Sequence, residues 1–175
     1  DLAAGEAVER RMGELLADPA SGELHERVVA YLDEELLRWE GYTAAELGID
    51  ADAWATWALS DVTCEVSSIY AYDDGTGTAY LDIEARNLSS VINEADAALF
   101  DYLSEHDLAL PGAQNRPELT DEQRAGAGAV WDEAMELAEP TGYSFVSVEL
   151  VRTDGTWALD EADLEDALED ALGLY

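Results

Sequence analysis

Two histidines, one cysteine and 41 acidic side chains are the groups through which this chain of 175 residues could do chemistry. His25 and His106 lie far apart and on different predicted helices. His106 continues an apolar stripe, which reads as a partly buried packing histidine rather than a base. Cys64 alternates with Val62 and Val66, so it is expected as a buried free thiol on an apolar strand face, with no His or Arg nearby to activate it. A single cysteine excludes an intrachain disulfide and a cysteine-based zinc site. The stretch "YDDGTG" is acidic, but Asp73-Asp74-Gly75 lacks the alternating acids, sixth-position glycine and twelfth-position glutamate of an EF-hand, and a hairpin turn accounts for it. No Walker loop, dinucleotide fingerprint, G-x-S-x-G elbow or H-E-x-x-H occurs. Asn87-Leu88-Ser89 is a formal glycosylation sequon, meaningful only in a eukaryotic secretory pathway. No catalytic, cofactor or metal residue is therefore assigned. Trp54, Trp57, Tyr70, Leu150 and Trp157 are the candidates to line a pocket for a small apolar ligand or a protein partner. Core packing is the competing role for the tryptophans.

The charge narrows the partners. Eight basic residues, all arginine, face 41 acids, a formal net charge of −33. Such a surface repels nucleic acid phosphates and anionic lipid heads, so neither is an expected partner. The acids recur on nearly every segment instead of forming one phosphate-like stripe. Genome-wide compositional bias, a halophilic proteome and a dedicated acidic function all remain open as the source. A hydrophobic fraction of 48% still supplies a globular core. No apolar run approaches the ~18–20 residues of a membrane span. The opening "DLAAGEAVER" reads as mature sequence, so any membrane anchor would lie outside it.

The elements that must position these residues follow from periodicity. Val8, Met12, Leu15 and Leu16 make a helix stopped by Pro19. Ser21 is expected to cap a second helix with the stripe Leu24, Val28, Leu32, Leu36 and Trp39. Thr43 and Glu46 form a capping box, and Asp50 or Asp52 starts a short helix carrying Trp54, Trp57 and Ala58. From residue 62 the period is two, with Val62, Cys64, Val66, Tyr70 and Tyr72 on one face. A two-residue turn at Asp74-Gly75 would set Val66 against Ile83, Cys64 against Ala85 and Tyr70 against Ala79. A helix with Val91, Ala95, Leu99, Tyr102 and His106 follows, then a loop, "DLALPGAQNRPEL", expected to be mobile. Thr120 and Gln123 open a helix through Ala127, Trp131, Ala134 and Ala138 that stops at Pro140. Val146, Val148 and Leu150 begin a second hairpin, where Asp154-Gly155 sets Leu150 against Leu159 and Arg152 against Trp157. Asp160 caps a last helix whose buried stripe is Leu164, Ala167, Leu168, Ala171 and Leu172; its acids are read as a solvated outer face.

The segments "TAYLDIEARN" and "FVSVELVRTDGTWALD", with the closing helix "LEDALG", resemble small bacterial surface lipoproteins. Their domain, of unknown function, is cystatin-like or nuclear transport factor 2-like. Asp154, Gly155, Trp157, Leu168, Leu172 and Gly173 carry the likeness, which spans roughly residues 20–173. The resemblance implies an α+β fold, a curved antiparallel four-stranded sheet packed against helices around a cone-shaped cavity. The length of 175 residues fits a single domain over 1–175, with residues 1–20 an N-terminal helix expected at the periphery and residues 21–173 the core. An extracytoplasmic place at the bacterial cell surface follows from the same likeness. The leading expectation is a non-catalytic secreted or cell-surface binding domain. The alternative is an isomerase- or dehydratase-like enzyme with a carboxylate base inside the cavity; the predicted inner faces show no such acid.

Overall fold

The computed structural model describes residues 2–109, 116–138 and 142–175. The elements are α1 (Leu2–Leu16), α2 (Glu23–Trp39), α3 (Ala51–Ser60), β1 (Thr63–Ala71), β2 (Thr76–Ala85), α4 (Leu88–Glu105), α5 (Asp121–Glu136), β3 (Gly142–Thr153), β4 (Thr156–Leu159) and α6 (Glu161–Leu172). The strands form one curled antiparallel sheet in the order β1-β2-β3-β4, an α+β fold as expected. The expected loop before α5 and the helix stop at Pro140 fall partly or wholly outside the described residues.

Curling has a packing cause. Edge strands β1 and β4 are about 14 Å apart in a flat four-stranded sheet, wider than a helix. Yet α1 packs against both of them, while α6 packs on β2 and β3 between. The sheet must therefore wrap around the helices. Ala4, Ala7, Val8 and Met12 of α1 are buried in the same core as Leu81, Ile83, Val148 and Leu150. Helix α1 is thus part of the core, which corrects the expectation of a peripheral segment. The inner face that was to hold a cone-shaped cavity is packed with this helix's side chains.

Local rules explain most helix ends. Asp50, Asn87, Thr120 and Asp160 each accept a backbone N–H at the start of a helix, and Thr120 with Gln123 completes a capping box. Gly173 ends α6 in the left-handed region. Three details differ from expectation. Gly22, not Ser21, precedes α2, because the Ser21 hydroxyl donates to Asp18 instead. The Thr43–Glu46 box closes a turn rather than a helix. Trp39 and His106 end exposed, Trp39 with its indole N–H on Glu35 and His106 as the C-cap of α4 against the Tyr102 ring.

The two Asp-Gly hairpins close differently. At Asp154-Gly155 both residues take positive φ, 52° and 81°, and Leu150 pairs with Leu159 and Arg152 with Trp157, as the spacing predicts. At Asp74-Gly75 only Gly75 does, because the Asp74 carboxylate accepts both the Thr76 N–H and hydroxyl and stays in the ordinary region. The loop becomes three residues, with Tyr72 N–H donating to the Thr76 carbonyl. A bulge between Val66 and Ser68 then shifts the register again, so Val66 meets Leu81 and Cys64 meets Ile83. The expected pairs of Val66 with Ile83, Cys64 with Ala85 and Tyr70 with Ala79 are corrected accordingly, Tyr70 pairing with Thr78.

Candidate functional site

The bulge decides which face Tyr70 serves. Without it, Tyr70 would share the inner face with Cys64 and Val66, since side chains alternate along a strand. The extra residue at Ser67 inverts that parity. Ile69 and Ala71 pack inward instead, and Tyr70 turns to the outer face, the side of the sheet away from the helices. There it meets aromatics at the outward positions of β2 and β3. Tyr80 sits between Ser68 and Ser147 in the register, with Tyr70 and Phe145 as diagonal neighbours. The Tyr70 ring stands edge-on to Tyr80 at 5.9 Å, and Phe145 stacks on Tyr80 at 5.5 Å with 15° between planes. Tyr70 is 55%, Tyr72 57%, Phe145 57% and Tyr143 65% exposed, so no element among the described residues covers this row. Ser68, Tyr70, Tyr72, Tyr80 and Phe145 line a shallow cleft of about 360 Å³. Large exposed apolar patches on a soluble protein mark interaction surfaces.

Carboxylates border the aromatics. Asp82 lies between Glu65 and Phe145, and Glu84 between Thr63 and Tyr143. The Tyr143 hydroxyl donates to Asp82, which raises the phenol pKa above its ordinary value. Aromatic faces beside acceptor oxygens can hold a cation or a sugar ring.

The five residues expected to line a pocket are not brought together. Trp54 is buried, 6.5 Å from Trp57 and 6.4 Å from Trp131, and its indole N–H points to the Met135 sulfur. Trp57 is half-buried beneath the Arg86 guanidinium at 4.3 Å. Leu150 and Trp157 belong to the core, with Arg152 over the Trp157 ring at 5.2 Å. Tyr70 is on the opposite side of the sheet from both. Tyr80, Tyr143 and Phe145 escaped the sequence reading of a site. Their signal was present, as aromatic residues at the outward positions of alternating strands. Cys64 is half-buried against the core, and burial, then Asp82 and Glu65, push its thiol up to about 11.

A second concavity, about 440 Å³, lies between α1, α2 and α6 over Leu15, Leu24, Leu164 and Leu168. Arg11 bridges Glu23 at 2.7 Å and Glu161 at 2.8 Å, and Arg27 pairs with Glu169. The acids of α6 are therefore not uniformly solvated: Glu161 and Glu169 tie the closing helix to α1 and α2, and Asp163 accepts the Glu149 N–H at 2.5 Å.

A buried carboxyl pair stands apart from both. Glu40, at the C-terminus of α2, is 2% exposed and faces Asp96 of α4. Desolvation first, then the Asp96 charge and hydrogen bond, push Glu40 up to about 7, so it is the member that keeps the proton. Arg116 opposes the shift. It packs on Gly41 and lies 5.6 Å over the Tyr42 ring. Asp96 also rises above its ordinary value through desolvation. Among the described residues no group of three or more His, Cys, Asp or Glu side chains could hold a metal ion, and no helix is long and apolar enough to cross a membrane.

Comparison with known proteins adds a likeness in fold. No family model matches the chain, and no curated protein matches it. The crystal structure of the ycdA protein of Bacillus subtilis subsp. subtilis strain 168, provisionally classed as a lipoprotein, superposes with a TM-score of 0.52 at 13% identity. The match covers 97% of this chain and 55% of that one, so this chain spans about half of its neighbour's length.

Proposed function

We propose that this chain is a non-catalytic binding domain of the bacterial cell surface, and that the outer face of its sheet is the binding face. The uncovered row of Tyr70, Tyr80 and Phe145, with Tyr72 and Tyr143 beside it, carries this reading. Five aromatic side chains on one solvated face are costly to maintain in water unless a partner covers them. The bulge at Val66/Ser68 supports it further, because it places Tyr70 outside when plain alternation would bury it. The cell-surface assignment draws on the resemblance in sequence and on the lipoprotein-like fold. A small apolar ligand would instead suit the leucine-floored groove between α1, α2 and α6.

The isomerase- or dehydratase-like alternative draws on one observation. Glu40, facing Asp96, is pushed up to about 7, the range in which a general base works. That pair lies between α2 and α4, away from the sheet's inner face where such chemistry was expected.

The test is a titration series with a neutral N-acetylglucosamine oligomer, a medium-chain fatty acid and an arginine-rich peptide. Each is run on the native protein, on Tyr80→Ala with Phe145→Ala, and on Leu24→Gln with Leu168→Gln. The outer-face pair should weaken whichever ligand binds by at least about tenfold, roughly 1.4 kcal/mol. Binding that survives this pair and disappears with the groove pair would move the site to the helices.

A further inference from the structure

We infer that the outer face of the sheet docks a basic segment of a partner protein, with arginine or lysine side chains laid across Tyr80 and Phe145 and their charges on Glu65 and Asp82. This rests on the outer face being the binding face, and it goes further by naming the occupant.

Charge complementarity carries the argument. Strand alternation puts Glu65, Asp82, Glu84 and Glu149 on the same face as the aromatic row. Among the described residues no ion pair involves any of these four acids: Arg86 turns to Trp57 and Asp61, and Arg152 to Trp157 and the Asp73 carbonyl. Glu65 and Asp82 are direct cross-strand partners. Like charges placed so destabilise a sheet, and among the described residues no basic side chain pairs with either. A cationic side chain from outside would relieve the repulsion. It would also gain from the ring faces, since guanidinium and ammonium groups are attracted to the π-cloud and their aliphatic stems cover apolar surface.

The other occupants fit less well. A second copy of the chain would bring another −33 against this one. Nucleic acid meets the same repulsion. A neutral ring ligand would satisfy the aromatics but leave Glu65 and Asp82 uncompensated.

The experiment measures binding of a short peptide of alternating arginine and serine, and of its glutamate counterpart, at physiological salt. Glu65→Gln with Asp82→Asn removes the charges at the site, and Glu165→Gln with Asp166→Asn removes the same charge from the exposed face of α6. Neither pair touches the core, so folding is preserved in both. The arginine peptide should bind and the glutamate peptide should not. The outer-face pair should weaken binding about tenfold and the α6 pair less than about twofold. If both pairs weaken it equally, net charge alone attracts the peptide and the inference fails. If a neutral N-acetylglucosamine oligomer binds through Tyr80 and Phe145 while the peptide does not, the inference fails but the outer face remains the site. Concentration-dependent dimerisation abolished by Phe145→Ala would make a second copy the occupant and also overturn it. If Tyr80→Ala with Phe145→Ala, still folded by circular dichroism, leaves every interaction unchanged, the outer-face reading falls and takes the inference with it.

Discussion

Replacing Glu40 by glutamine should stabilise the protein at alkaline pH and leave it unchanged at acidic pH. Glu40 titrates at about 7 in the fold against 4.5 ordinarily. A shift of one unit corresponds to about 1.4 kcal/mol, so ionising Glu40 in the folded state costs on the order of 3 kcal/mol. The sign follows from linkage. The folded protein holds this proton more tightly than the unfolded chain, so the stabilisation is complete below pH 4.5 and is lost as pH rises to about 7. The groups facing the pair are Asp96 from α4, Glu35 from α2 and Arg116 ahead of α5; of these only Arg116 favours the ionised form. A glutamine amide can donate to Asp96 as the protonated acid does, without ionising. Glu40→Gln should therefore gain about 1–3 kcal/mol at pH 8 and nearly nothing at pH 4.5. A gain of that size raises Tm by several degrees in a domain of this length. Urea unfolding of both proteins across this range reads the difference directly, since the self-repulsion of the acidic surface changes little between them. A variant less stable than the native protein at pH 8 would refute the reasoning, for Glu40 would then be ionised and paired with Arg116.

Three further outcomes are expected. Trp157→Ala should cost about 3–5 kcal/mol because the ring is buried in the core, whereas Glu165→Gln with Asp166→Asn, both exposed, should cost about 0.5 kcal/mol or less; equal losses in denaturant titrations would contradict the packing of α6. Cys64, with its thiol raised to about 11, should react with a thiol reagent at pH 8 far more slowly in the native protein than in urea, and equal rates would show an open β1. Added sodium chloride should raise Tm, because ions screen the repulsion of a −33 surface over a Debye length of about 10 Å at 0.1 M; a flat or falling Tm would show that self-repulsion does not limit stability.

The second hairpin and the bounds and buried stripe of α6 were legible in the sequence, because local chemistry decides them. Asp154-Gly155 takes a two-residue turn, strict alternation fixes the register, and Asp160 and Gly173 mark the helix ends. The first hairpin carries the same dipeptide and reads wrongly. There a side-chain contact, Asp74 to Thr76, selects the three-residue turn, and a bulge at Val66/Ser68 resets the parity. Neither leaves a mark in a hydrophobic pattern. The candidate site was lost with that parity, since Tyr70 was counted inward and its partners Tyr80 and Phe145 then had no company. The Glu40–Asp96 pair was out of reach for another reason: its members lie 56 positions apart in the chain, and only the fold brings the C-cap of α2 beside α4.

Chemical-shift mapping of the native protein with the arginine–serine peptide tests the binding face most directly. The largest changes should fall on the amides of Ser68, Tyr70 and Asp82 and on the ring signals of Tyr80 and Phe145. Changes centred on Leu24, Leu164 and Leu168 in the helical groove, with the outer face silent, would contradict it.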